Sequence, residues 1–144
     1  MNQSYFDVIF IGCKKIGSLP KKFAILTACN PMDEILKKTE NKKLNQGLRR
    51  ALSEFEMPTY NIIGSSPDLN HQEPSFLIEI PENQAIEVAA SFNQRAIFWV
   101  SNDQMEIIEA VAKLDSAAAT PDQRQSPMLI HPVQNRQTCI LVVL

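Results

Sequence analysis

Ser75-Phe76-Leu77-Ile78-Glu79-Ile80 and, fifteen positions on, Arg95-Ala96-Ile97-Phe98-Trp99-Val100 decide how this chain folds. Both runs are short and rich in β-branched and aromatic residues. Pro81 closes the first and Asn93-Gln94 opens the second, so both read as strands. Between them Ala85, Ile86, Ala89, Ala90 and Phe92 recur at helical spacing, and residues 83–93 read as a helix with one apolar face. Side chains alternate along a strand. Phe76, Ile78 and Ile80 therefore oppose Leu77, while Ala96, Phe98 and Val100 oppose Ile97 and Trp99. Both faces of the sheet are apolar, and both need cover.

The same grammar extends upstream. Phe23-Ala24-Ile25-Leu26-Thr27-Ala28 is a strand stopped by Asn30-Pro31. From Thr39 to about Phe55 the apolar residues Leu44, Leu48, Ala51, Leu52 and Phe55 make one helical stripe, with Thr39 as N-cap, Glu40 in the first turn and Pro58 barring continuation. Lys38, Lys42, Asn45 and Arg49 fall on another face, read first as solvated surface and second as a phosphate-binding ridge. Tyr60-Asn61-Ile62-Ile63-Gly64 is a strand, and Ser65 to Asn70 has loop chemistry. A turn at Ser101-Asn102-Asp103 leads to a further strand at Met105-Glu106-Ile107-Ile108.

This βαββαβ order is that of a ferredoxin-like α+β sheet, antiparallel, with both helices on one face. An extra strand and N- and C-terminal extensions add to it. Residues 1–112 are expected to form a single domain. Residues 113–144 are expected to be a flexible linker, rich in Ala, Ser, Pro, Gln and Thr, followed by the strand-like run Cys139 to Leu144. Candidates to cover the second face are the N-terminal strand around Tyr5 to Ile11, that C-terminal run, or a second subunit in a homodimer.

A chain of 144 residues buries a core without cross-links. Cys13, Cys29 and Cys139 stand far apart with no CxxC or Cys/His spacing, so neither a zinc site nor a disulfide framework is encoded, and a reducing, cytoplasmic setting is expected. Asp7 interrupts the first apolar run, which is too short to span a bilayer. The net charge of −2 divides into +6 over residues 1–50 and −8 over the remainder, a split suited to an anionic partner or to the two halves facing one another. No Walker A, GxGxxG, HExxH or GxSxG pattern occurs, so no cofactor is expected. The basic and aromatic pattern of RNA-binding ferredoxin-like modules is also missing, which disfavours nucleic acid as a partner.

Several short motifs stand in order: Phe23-Ala24-Ile25-Leu26-Thr27-Ala28-Cys29-Asn30-Pro31, Glu40-Asn41, Gly64-Ser65-Ser66-Pro67-Asp68, Glu73-Pro74-Ser75-Phe76, and Phe92 to Trp99. Over about residues 23–110 the chain resembles the bacterial family catalogued as domain of unknown function 3293. That resemblance implies no activity, substrate or cofactor. Cys29 stands where a Trp or another large residue is expected in many relatives.

The split βαβ order brings four chain connections to one rim of the sheet. Thr27, Asn30, Asn41, Asp68, Glu73, Ser75 and Gln94 gather there as candidate ligand-binding residues, with Asn41 near a helix N-terminus that favours an anion. Asn30, Asp68 and Ser75 are equally good turn and cap residues. Glu73 enters a central strand, so its carboxylate needs a partner, for which Asn41, Arg95 or backbone N–H groups are candidates. His71 and Glu73 are the candidate catalytic acid and base, and Asp68, His71 and Glu73 form too local a set to hold a metal well. Cys29 is a candidate nucleophile beside His71 or an inert thiol. His131 reads as exposed. Two readings follow: a non-catalytic binding or regulatory module taking a small polar or anionic ligand or a partner protein, and a hydrolase acting on a phosphate-containing or nucleic-acid substrate.

Overall fold

The computed structural model describes residues 8–12, 19–102 and 104–110, together with the backbone of 141–143. The expected linker, His131, Cys13 and Cys139 lie outside the described residues. In chain order the elements are β1 (Ile9–Gly12), β2 (Lys22–Leu26), α1 (Lys38–Ser53), β3 (Thr59–Ser65), β4 (Gln72–Ile78), α2 (Glu82–Ser91), β5 (Ala96–Ser101), β6 (Gln104–Glu109) and β7 (Leu141–Val143). One sheet holds all seven strands in the order β6-β5-β2-β4-β3-β1-β7. Neighbours among β1 to β6 are antiparallel, and β7 joins β1 in parallel. The fold is thus mixed α and β and mainly antiparallel, as expected, but the sheet holds more strands than a βαββαβ unit with one extra strand. No described helix is long and apolar enough to cross a membrane.

Strand alternation builds two cores. Ala24, Leu26, Phe76, Ile78, Ile97 and Trp99 meet Leu48 and Leu52 of α1 and the alanine-rich face of α2, so both helices cover the same side of the sheet. Leu48 and Leu52 are wholly buried, and each contributes roughly 1.5–3 kcal/mol by leaving water. On the other side Phe23, Ile25, Ile62, Leu77 and Val100 form a second core with Phe10.

The sheet itself closes over this second core. Three strands separate β1 from β5, a distance of roughly 19 Å in a flat sheet. Yet the rings of Phe10 and Phe98 meet edge to face with centroids 5.0 Å apart. The sheet therefore curls, bringing its β1 edge back over the middle strands. A β-carbon added at Gly64 would lie 3.4 Å from Cε1 of Phe10, which places the ring directly on that glycine. Phe10 is 2% exposed, so the N-terminal strand, one of the expected candidates, does belong to the core on this face.

Two details of α1 also differ from expectation. Lys37, not Thr39, occupies the N-cap position, with no side-chain cap. Lys38, Lys42 and Arg49 are exposed, but Asn45 is buried, because it sits on the edge of the stripe that carries Leu48 and Leu52.

Candidate functional site

After β2 the chain turns at Asn30, whose backbone adopts the left-handed region (φ 49°, ψ 60°) that asparagine tolerates better than most residues. The turn frees both ends of the Asn30 side chain for long-range contacts. Its Nδ2 donates to Oε1 of Glu73 at 2.8 Å, and its Oδ1 accepts from the Leu36 backbone N–H and from Nδ2 of Asn41, both at 2.9 Å. Asn41 reciprocates, with Oδ1 accepting the Asn30 N–H at 2.8 Å. One turn further along α1, Asn45 accepts the Ala28 N–H and donates to the Pro74 carbonyl, each at 2.8 Å. Thr27 donates to that same carbonyl at 2.9 Å, and Gln94 donates to the Cys29 carbonyl at 3.0 Å. Strands β2 and β4, the start of α1 and the entry to β5 are thereby tied at one rim.

The expected rim residues divide on this geometry. Thr27, Asn30, Asn41, Glu73 and Gln94 meet in one polar network. Ser75 is buried and donates to the Glu73 carbonyl at 3.1 Å. Asp68 lies apart, in the exposed β3–β4 hairpin loop, where Ser66 donates to it at 2.6 Å and Asn70 caps it through backbone and side chain. The Ser66 bond, followed by the Asn70 backbone bond, holds its carboxyl below the usual range. Asn45 is the network member that sequence reasoning missed. Its signal was the four-residue step from Asn41, which puts both amides on one helix edge.

Glu73 is half-buried. Burial pushes its carboxyl up from the ordinary value of 4.5; the Asn30 bond opposes this, and the charge of Asp33 adds to it. Its partner is therefore Asn30, whereas Asn41, Arg95 or backbone N–H groups were the expected candidates. Arg95 instead pairs with Asp33 at 2.8 Å. The second carboxylate oxygen, Oε2, receives no hydrogen bond from the described residues. His71 is exposed, its charge acts on Asp68, and no hydrogen bond joins its side chain to Glu73. Cys29 is buried beside Thr27 and Asn45, and burial raises its thiol pKa, which opposes nucleophilic use. No group of three or more potential metal-ligating side chains occurs among the described residues.

A cavity of about 870 Å³ opens at the opposite rim, on the helix side of the sheet. It forms where the start of β2, the ends of β4 and β5, the end of α1 and the start of α2 converge. Trp99, Lys22, Ser101, Glu79, Phe55 and Met57 line it. Trp99 is 6% exposed overall and borders the cavity.

Residues 26–97, half of the chain, match the family described as protein of unknown function DUF3293. The chain belongs to that family. The matched stretch contains the whole Asn30–Glu73 network, whereas Lys22, Trp99 and Ser101 of the cavity fall outside it. No curated protein and no solved structure matches the chain.

Proposed function

We propose that the protein is a non-catalytic binding module and that its ligand enters the cavity bounded by Trp99, Lys22 and Glu79. The observation that carries this reading is the contrast between the two rims. At the Asn30 rim nearly every polar group is satisfied by another from the same chain, which is the signature of a structural tie. At the cavity, charged and apolar groups from β2, β4, β5 and the helix ends border a space of the size that small ligands occupy. Two-dimensional NMR of the labelled protein against a fragment collection tests it. Saturable shifts of the Trp99 indole, Lys22 and Glu79 resonances are expected. Absence of saturable shifts anywhere, or chemical turnover of a bound fragment, overturns it.

A second reading places a small polar ligand at the Asn30 rim, with Oε2 of Glu73 as acceptor. It is favoured by the absence of a partner for that oxygen. In the same experiment shifts confined to Thr27, Asn30 and Glu73 select it over the cavity. A hydrolase using His71 and Glu73 has no comparable observation in its favour.

We read the inner strands β5-β2-β4-β3, with α1 and α2 on one side, as a split βαβ unit of ferredoxin-like type. Supporting this are their order and the antiparallel pairing of each neighbouring pair.

A further inference from the structure

Helix α1 carries its positive charge on one side, and we propose that this side binds the phosphate backbone of a nucleic-acid duplex without reading its sequence. The surface is independent of the Trp99 cavity. Lys37, Lys38, Lys42, Lys43, Arg49 and Arg50 are six of the 14 basic residues in a chain of net charge −2, so their clustering is not a by-product of a basic composition. At about 100° per residue, Lys38, Arg49, Lys42, Arg50 and Lys43 follow one another across an arc of roughly 140°. All five are exposed, and none makes an ion pair among the described residues. Glu40 falls roughly 60° beyond the Lys43 edge, and Glu54 is the C-cap, so the arc itself holds no carboxylate. The helix is 16 residues long, roughly 24 Å, which matches the rise of about seven phosphates along one strand of a duplex.

The other residues of the arc decide the class of partner. Thr39 and Gln46 lie between the cations and are exposed, and hydroxyl and amide groups hydrogen-bond phosphate oxygens. A helix that lies in a lipid surface turns its apolar stripe into the bilayer. In α1 that stripe faces the sheet, with Leu48 and Leu52 wholly buried. Met32 and Ile35 are exposed, but they stand in the loop before the helix. A single strand is held largely by stacking its bases on aromatic side chains, and the arc has none. A duplex presents regular charge and needs no stacking. The pattern of RNA-binding ferredoxin-like modules, missing from the sequence, concerns aromatic residues on the face of a sheet, whereas this surface is the outer side of a helix.

The test titrates the full chain into fluorescently labelled duplexes of about 20 base pairs, one of DNA and one of RNA, and reads anisotropy from about 50 to about 200 mM salt. A dissociation constant of about 10 μM or below is expected at the lowest salt for at least one duplex, and the tighter of the two names the source of the backbone. The logarithm of the association constant is expected to fall against that of salt with a slope of about −3 to −5. Lys42→Gln combined with Arg49→Gln is expected to weaken binding at least about tenfold and to reduce the slope by about 2. Lys21→Gln removes an exposed charge outside α1 and is expected to change affinity less than about twofold, and Lys42→Arg is expected to retain it. Melting temperatures equal to the parent's will show that the variants keep the fold. Tighter binding of a single strand, affinity indifferent to salt, or a Lys21→Gln effect as large as that of the pair overturns the proposal. Failure to bind either duplex at the lowest salt overturns it too, and binding to phosphatidylglycerol vesicles that the same pair of substitutions removes would then assign the arc to lipid.

Discussion

Phe10 and Phe98 pack edge to face with their ring planes at 79°, although Phe10 lies on β1, Phe98 lies on β5 and three strands run between them. The contact closes the curl of the sheet over the second core. Aromatic pairs of this geometry contribute about 0.5–1.5 kcal/mol beyond their area. A double-mutant cycle on Phe10→Leu and Phe98→Leu, followed by urea unfolding, is expected to give a coupling energy in that range. Additive effects would mean that the curl is held by other contacts.

Asn45 is the buried tie between α1 and β4. Asn45→Ala leaves the buried Ala28 N–H without its acceptor and removes one donor from the Pro74 carbonyl. A loss of roughly 2–4 kcal/mol in unfolding free energy is expected. Asn45→Asp keeps the acceptor but buries a charge near that carbonyl, and is expected to cost at least as much.

Asn30 combines a backbone role and a side-chain role that two substitutions separate. Glycine accepts the left-handed conformation, so Asn30→Gly reports mainly on the lost contacts to Glu73, Asn41 and Leu36. Asn30→Ala adds the strain of a β-carbon at φ 49° and is expected to be about 1–2 kcal/mol less stable than Asn30→Gly. Chemical denaturation of the two variants under one condition measures the difference.

Glu73 makes stability depend on pH. Its folded pKa is raised, so the fold binds this proton more tightly than the unfolded chain does. The resulting stabilisation is complete below the ordinary value of 4.5 and is lost as pH rises through the folded pKa. Glu73→Gln retains an acceptor for Asn30 and has no charge to desolvate. Its melting temperature relative to the parent is therefore expected to rise between pH 4 and pH 7, reaching a gain of a few degrees. A gain independent of pH would assign the effect to packing.

Cys29 is expected to resist thiol reagents in the folded protein. With Cys13 and Cys139 replaced by serine, reaction with a disulfide reagent near pH 8 is expected to be at least about a hundredfold slower before urea is added than after. Rapid labelling of the native protein would show that the rim opens.

The helices and strands were legible because each shows its own period over enough residues. Leu44, Leu48, Leu52 and Phe55 mark α1, and the two-sided alternation of Phe76 to Ile80 and Ile97 to Val100 already required cover on both faces. The rim members Asn30, Asn41 and Glu73 were legible as polar residues at strand and helix ends. Their pairing was not, since nothing in a one-dimensional pattern makes Asn30 rather than Arg95 the partner of Glu73. Asn45 was misread as surface because a polar residue in a helix usually faces water, and its burial depends on backbone groups 17 and 29 positions away.

By itself the sequence determined the order of strands and helices, the two apolar faces of the sheet and the family, because these depend on local periodicity and on short motifs. Only the tertiary structure decided that the sheet curls until Phe10 reaches Phe98, that Asn30, Asn41 and Glu73 join in one polar rim, and that a cavity opens around Trp99. Each of these depends on the distance between groups remote in the chain, which is fixed when the sheet twists and the helices dock, and no local pattern carries it.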